Sequence, residues 1–145
     1  MPSRRRTHPP TAAEAVRVAE FRAALRTFLR QSEQIARASG LTPQRYLLLL
    51  MIKGAPGGNE TSTVTELAER LQLAQSTVTE LVSRAEEAGL VGREPSTEDG
   101  RVAHLRLTAE GEQRLARSFT SHESERRALR AAFAHLDALA DGSRD

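Results

Sequence analysis

Small polar side chains recur along the segment from Gln75 to Arg84, at positions that a helix would bring to one face. The amide of Gln75 can pair with two atoms of adenine, the hydroxyls of Ser76 and Thr79 can donate or accept, and the carboxylate of Glu80 can accept a hydrogen bond from cytosine. Such groups meet the edges of base pairs when a helix enters the major groove, which is about 12 Å wide. The chemistry offered by this face, to which Ser83 also belongs, is hydrogen bonding to a nucleic-acid duplex.

Arg84 follows this face and is expected nearer the phosphates. The competing interpretation is a solvated face on an ordinary surface helix, which carries the same residue types. For an isolated amphipathic helix that interpretation would be the better one. The order of the surrounding elements reverses the preference.

Two helices and a hairpin are predicted around this face. Thr63-x-x-Glu66 has the spacing of a capping box and opens the first helix. After a turn near Leu73-Ala74, apolar residues recur at i, i+3, i+4 and i+7 and predict a second helix that ends at Ala88-Gly89. The apolar positions are Leu67, Ala68 and Leu71 in the first helix and Val78, Leu81, Val82 and Ala85 in the second.

A β-hairpin is predicted next, with strands Val91–Pro95 and Val102–Leu107. Arg101 lies at its tip, where a guanidinium on a thin turn fits a narrow, negative minor groove. Asp99 can accept hydrogen bonds from turn N–H groups or pair with an arginine. A plain polar turn is the alternative, since Asp-Gly is ordinary hairpin chemistry.

Amphipathic helices are predicted on both sides of this region. Thr11 and Glu14 form a second capping-box pattern before a long helix that ends near Gly40. Pro43 begins a helix that is apolar all round from Tyr46 to Ile52 and is therefore expected to be buried. Thr108 begins a helix toward His122, and the sequence leaves open whether it continues unbroken into the apolar stripe after it.

Charge is distributed unevenly along the 145 residues, a length that predicts a single domain. The net charge is +2, but residues 1–45 carry nine arginines and three glutamates. Residues 60–94 carry seven glutamates and three arginines, a net charge of −4 on the segment that would meet DNA. We therefore expect modest DNA affinity with a steep dependence on salt, supported by arginines outside the recognition segment.

Enzymatic chemistry is not indicated. The four histidines are scattered without metal-ligand spacing, and neither a phosphate-binding glycine loop nor a nucleophile elbow is present. A carboxylate–imidazole site at His122 or His135 is the one alternative that stays open. The chain has no cysteine and no apolar run of the ~20 residues that span a bilayer, so we predict no metal, no cofactor, no membrane contact and a cytoplasmic location.

Three stretches of sequence together resemble the MarR family of bacterial transcription regulators, over roughly Leu25 to Leu115. They are LTPQRYLLLLMI, TVTELAERLQLAQSTVTELVSRAEEAGLVGREP and STEDGRVAHLRLTAEGE. The resemblance implies a recognition helix that includes Ser76, Thr77, Thr79, Glu80 and Arg84, and a wing with Asp99 and Arg101. Ala74 departs from the family, where a Ser or Thr cap is common, and Glu80 stands where a basic residue is frequent.

The resemblance also implies a fold class: mainly α with a small β-hairpin wing, in which a winged helix-turn-helix over residues 42–107 joins dimerisation helices over 11–40 and 108–140. Residues 1–10 are expected to be a flexible basic arm. The function implied is that of a homodimeric repressor on a pseudo-palindromic double-stranded DNA operator. The alternative is a winged-helix module that binds protein. A small aromatic or phenolic ligand would lower DNA affinity from a pocket lined by Phe21, Phe28, Tyr46 and Met51.

Overall fold

Residues 7–95 and 100–141 are described by the structure, a computed structural model, with the backbone alone for His135 and residues 137–141. Across those residues the chain forms helices and one antiparallel hairpin in the order expected from the sequence. The elements are α1 (Ala12–Ala38), α2 (Pro43–Lys53), α3 (Val64–Leu71), α4 (Gln75–Glu87), β1 (Val91–Pro95), β2 (Ala103–Leu107), α5 (Ala109–Ser121) and α6 (Glu123–Asp141). In the described part of the chain, no helix combines the length and the apolarity needed to cross a membrane.

Contacts divide the chain into two units, residues 1–31 with 124–145 and residues 32–123. The described part of the first unit consists of most of α1 and most of α6. Within it the rings of Phe21 and Phe133 meet edge to face, with centroids 4.9 Å apart. Large apolar side chains of this unit, among them Val16, Val18 and Leu29, are more than half exposed.

The second unit, which contains α2 to α5 and the hairpin, has its core around α2. Leu48, Leu49 and Ile52 of that helix are fully buried. Contrary to the expectation from its sequence, α2 is not buried all round, because Leu47 is 41% exposed. One side of α2 therefore faces solvent although all its residues from Tyr46 to Ile52 are apolar or aromatic.

Threonine caps begin most of the helices. The Thr63 hydroxyl accepts the Glu66 N–H at 3.2 Å, while the Glu66 carboxylate accepts the Thr63 N–H at 3.4 Å. The same reciprocal pair joins Thr11 and Glu14. Both capping boxes predicted from the sequence are confirmed. Ala74, which precedes α4, makes no side-chain cap.

The hairpin pairs Val91 with Leu107 at its base and Pro95 with Ala103 toward its tip. Its second strand starts one residue later than predicted. Ser62, from the segment before α3, exchanges two backbone hydrogen bonds with Leu105, at 3.1 and 2.8 Å. This bridge places a third extended segment beside the hairpin and joins the middle of β2 to the residues just before α3.

The C-terminal helical region is interrupted at one residue. Helix α5 ends at Ser121, His122 is its C-cap, and α6 begins at Glu123. The structure thereby settles a question that the apolar periodicity left open.

Candidate nucleic-acid interface

Helix α4 presents a polar face on a rigid apolar support. Val78, Val82 and Ala85 are completely buried, since their side chains pack into the core of the second unit. On the opposite side the side chains of Ser76, Thr79, Glu80 and Ser83 are exposed. The amphipathic helix predicted from the sequence is confirmed, and the contact of its polar face with DNA stays a prediction.

Two of the predicted contact residues are placed differently from the rest. The amide of Gln75 donates to the Thr65 hydroxyl of α3 at 3.4 Å, a long hydrogen bond, so this side chain lies toward the neighbouring helix. Thr77 is half-buried on the flank of α4. Both lie at the start of the helix, beside the face rather than on its outermost line.

Glu80 and Arg84 form an i, i+4 ion pair along α4. Both side chains are 63% exposed, so the pair contributes little to stability. Its effect is electrostatic: the only carboxylate on the reading face between Ser76 and Ser83 is partly neutralised by the arginine beside it. The acidic character predicted for this face is therefore reduced locally.

An arginine of α3 joins this helix to the C-terminal end of α2. Arg70 donates from Nη1 to the Met51 carbonyl oxygen at 2.8 Å and from Nη2 to that of Gly54 at 3.1 Å. These carbonyls lie in the last turn of α2 and just after it, where the helix has no backbone partners for them. Sequence analysis missed this contact, and its only signal was a basic residue shortly after a glycine-rich loop.

Ion pairs join α2 to its neighbours and cross the hairpin. Lys53 lies 2.9 Å from the Glu60 carboxylate and 3.0 Å from that of Glu112. The end of α2 is thereby joined both to the loop that precedes α3 and to helix α5. Hydrogen bonds to Glu60 and Glu112 raise the pKa of Lys53, and the hydrogen bond from Lys53 lowers the pKa of Glu60. Across the two strands, Arg106 pairs with Glu94 at 3.1 Å.

The hairpin is also joined to α5 at very close range. The Thr108 hydroxyl donates to the Gly89 carbonyl oxygen at 2.6 Å and accepts the Gly111 N–H at 3.1 Å. A Cβ atom at Gly111 would lie 2.1 Å from the Leu90 carbonyl oxygen. Only glycine permits this approach, which sets the position of the wing relative to α5.

Arg101 is exposed at the start of the second hairpin arm, as its predicted role requires. Asp99, the other predicted residue of the tip, lies outside the described residues together with residues 96–98. The DNA contacts assigned to both residues stay predictions.

The four residues predicted for a ligand pocket fall in different units. Phe21 and Phe28 belong to the first unit, and Tyr46 and Met51 to the second. Tyr46 is buried and stacks on His122, with ring centroids 4.5 Å apart. The pocket stays a prediction.

His122 is buried, but its partners are not the carboxylates that a catalytic site would need. Its Nε2 lies 2.9 Å from the Ser32 carbonyl oxygen and its Nδ1 2.5 Å from that of Ser118. The side chain of His135 lies outside the described residues. Among the residues described, no group of three or more His, Cys, Asp or Glu is arranged to hold a metal ion.

Three helices, a polar face on the third and an antiparallel hairpin directly after it define a winged helix-turn-helix protein. Residues 39–102 match the MarR family model. Over this region, which is less than half of the chain, the sequence is similar to the MarR family.

Comparisons with individual proteins agree with this assignment. The HTH-type transcriptional repressor IacR of Pseudomonas putida is 41% identical over 59 residues, which are 41% of this chain and 35% of that protein. The matched segments span between 35% and 58% of the length of the curated relatives.

Solved structures match the fold over a larger share of the chain. Sco3205 of Streptomyces coelicolor, solved in complex with DNA, superposes with a TM-score of 0.69 at 22% identity, over 97% of this chain and 93% of that one. NadR, solved in complex with 4-hydroxyphenylacetate, gives a TM-score of 0.67 at 23% identity over 99% of both chains.

Proposed function

We propose that this chain is a transcriptional regulator that binds double-stranded DNA in a sequence-specific manner, as a homodimeric repressor. The observation that carries the proposal is the exposed polar face of α4, held by a fully buried apolar back and followed by a hairpin. The repressor IacR and the DNA complex of Sco3205 support it by similarity.

Each part of the interface has a distinct role in this proposal. Helix α4 enters the major groove, where Ser76, Thr79, Glu80 and Ser83 meet base edges. Arg84 contacts a phosphate, and Arg101 enters the minor groove at the wing. With base contacts from short neutral side chains and one glutamate, the attraction to DNA comes mainly from arginines.

Exposed apolar side chains of the first unit support the proposal of a homodimer. Val16, Val18 and Leu29 of α1 and Phe133 of α6 are between 45% and 56% exposed. A two-fold axis would bury such residues against their copies and place two α4 helices about 34 Å apart, one turn of the duplex.

The test is binding to the DNA upstream of the chain's own gene, measured by fluorescence anisotropy at several salt concentrations. We expect a preference for that DNA over a scrambled duplex and a steep loss of affinity with salt. Arg101→Ala should weaken binding by about 1–3 kcal/mol. The exposed Arg117 of α5 provides the matched control, Arg117→Ala. A dimer without any sequence preference at low salt would refute the proposal.

A protein-interaction module is the second candidate, favoured by the net charge of −4 over residues 60–94. Glu80→Lys distinguishes the two functions. A DNA-binding protein gains affinity for scrambled duplexes when a carboxylate on its DNA-facing surface becomes an ammonium group, because that attraction does not depend on sequence. A module that presents an acidic face to a basic protein loses that partner in the same variant.

Release by a small phenolic ligand forms the last part of the proposal, and it is supported by the similarity to NadR. Adding 4-hydroxyphenylacetate to the preformed protein–DNA complex should lower the bound fraction. If neither this compound nor related phenolic acids change the affinity, the ligand part is wrong and the DNA-binding part stands.

A further inference from the structure

A cleft of about 380 Å³ opens on the flank of α4 within the second unit. Glu33 and Arg37 line it from the end of α1, Thr42 and Arg45 from the start of α2, and Leu81 and Arg84 from α4. Three elements thus meet beside the reading face.

Positive charge dominates this cleft, with three arginines and one glutamate among the residues just named. Arg84 is paired with Glu80 outside the cleft. Neither Arg37 nor Arg45 forms an ion pair with any carboxylate that the structure describes. In a chain with 19 acidic residues, two unpaired guanidinium groups beside a third leave a local excess of positive charge that an anion would neutralise.

The backbone of α2 adds to this field. The Thr42 hydroxyl accepts the Arg45 N–H at 3.2 Å, and the Thr42 carbonyl oxygen accepts the Tyr46 N–H at 2.9 Å. Pro43 has no N–H. Of the N–H groups of Gln44, Arg45 and Tyr46, only that of Gln44 is therefore not engaged by Thr42. The positive end of an 11-residue helix therefore opens on the same cleft as the arginines.

The position of the cleft on the flank of α4 indicates which anion it would bind. Leu81 and Arg84 are three residues apart and share a face of α4, next to the exposed line that carries Glu80 and Ser83. When that line faces base edges, the adjacent flank faces the sugar-phosphate strand that borders the major groove. A phosphodiester of that strand would pass the mouth of the cleft.

We propose that this cleft is a phosphate-binding site, in which Arg37 and Arg45 hold a backbone phosphate of the DNA that α4 contacts. The inference rests on the proposed DNA-binding function. The same chemistry could accept free phosphate, but the location beside the reading face favours the DNA backbone. Glu33 opposes the phosphate and weakens the site.

The test uses Arg37→Gln and Arg45→Gln in the full-length protein, with binding to operator and scrambled duplexes measured across a salt series. Each variant should lose roughly tenfold in affinity, equally for both duplexes, and its plot of log K against log salt should be shallower by about 0.9. Glu33→Gln should bind both duplexes more tightly. Arg117→Gln on α5 is the matched control, since it removes the same charge from an exposed site outside the cleft.

Thermal unfolding followed by circular dichroism checks that the variants fold, and the two arginines on different helices serve as independent probes. If the wild-type protein binds no DNA, the proposed function and this inference fail together. If the wild-type protein binds its operator but both arginine variants behave like Arg117→Gln, only this inference is overturned. A loss confined to the operator would mean base recognition and would also overturn it.

Titration with inorganic phosphate at constant ionic strength, followed by NMR, separates the two sources of phosphate. Phosphate binding that disappears in Arg45→Gln while DNA binding is unchanged would show a site for the free anion and overturn the assignment to the DNA backbone. An equal loss of affinity for operator and scrambled duplexes in Arg45→Gln supports the assignment, whatever free phosphate does.

Discussion

At the scale of single residues, Ala74 leaves α4 without a side-chain cap. Its backbone is extended (φ −63°, ψ 147°), as an N-cap requires, but a methyl group cannot accept a hydrogen bond from the first turn. The other helices of the second unit with a described N-cap begin at threonines that do so. Helix α4 is therefore held by the packing of its apolar side rather than by a cap at its N-terminus.

Ala74→Ser should raise the free energy of unfolding by about 1 kcal/mol, because the hydroxyl can accept an N–H of the first turn in the existing backbone geometry. Urea unfolding followed by circular dichroism measures this change. Ala88→Ser, at the C-cap of the same helix, is the control, since no free N–H group awaits a partner there. Equal effects of the two substitutions would contradict the explanation.

Glu60 joins the end of α2 to β2 by a charge that depends on pH, because its carboxylate lies 2.9 Å from Lys53 and 3.9 Å from Arg106. Its hydrogen bond from Lys53 lowers the pKa of its carboxyl group, so the folded protein favours the ionised form. The stabilisation is present above the pKa of the unfolded chain and is lost as the pH falls through the pKa of the folded state. Raising the pKa of Lys53 has the opposite consequence, a loss of stabilisation at strongly alkaline pH.

Glu60→Gln should destabilise the protein near neutral pH, and the difference from wild type should shrink as the pH is lowered into the acid range. Glutamine keeps a similar shape at a residue with positive φ (60°) while removing the charge. Chemical unfolding at a series of pH values measures the difference, and Glu87→Gln on the exposed side of α4 controls for the loss of one negative charge. A difference that grows toward acid pH would rule out this role for the carboxylate.

At the scale of elements, the hairpin is held by contacts with residues outside it, in addition to the hydrogen bonds between its two strands. Ser62 pairs with the middle of β2, and Thr108 bonds to the chain just before β1. Gly111 lets α5 approach the Leu90 carbonyl oxygen without a side chain between them. The wing is thus attached through β2 to the segment before α3, and through the residues before β1 to the start of α5.

Gly111→Ala should destabilise the protein by about 1–3 kcal/mol, because the added methyl group would overlap the Leu90 carbonyl and force α5 away from the hairpin. Gly92→Ala in β1 is a matched control, since a Cβ atom there meets nothing within 4 Å. Urea unfolding compares the two. Equal stability of both variants would show that the close approach is not needed.

At the scale of the whole molecule, the proposed homodimer makes a prediction about spacing on DNA. Two α4 helices fixed by a two-fold axis bind half-sites about 34 Å apart, on one side of the duplex. Inserting about 5 base pairs between the half-sites should abolish the gain from the second half-site, because that half-site then faces away. Anisotropy titrations with the native and lengthened operators test this, and unchanged affinity would argue against simultaneous binding of both half-sites.

Much of the local structure could be predicted from the sequence. Capping boxes at Thr11 and Thr63 located helix starts because those bonds join residues three positions apart. Apolar periodicity placed Val78 and Val82 in the core, since a helix turns by a fixed angle per residue. The expectation of a fully buried α2 was wrong, because an apolar composition does not reveal how many sides of a helix have neighbours.

Contacts between distant residues were decided only by the tertiary structure. The bonds of Arg70 to the end of α2, the bridge of Ser62 to Leu105 and the meeting of Arg37, Arg45 and Arg84 in one cleft have no signature in local spacing. Local rules, which act over three or four residues, determined from the sequence where the helices begin and which face of α4 is polar. Which residues lie beside that face depended on how the helices pack. Packing brings together residues that are far apart in the sequence, and their separation along the chain does not reveal how close they lie in space.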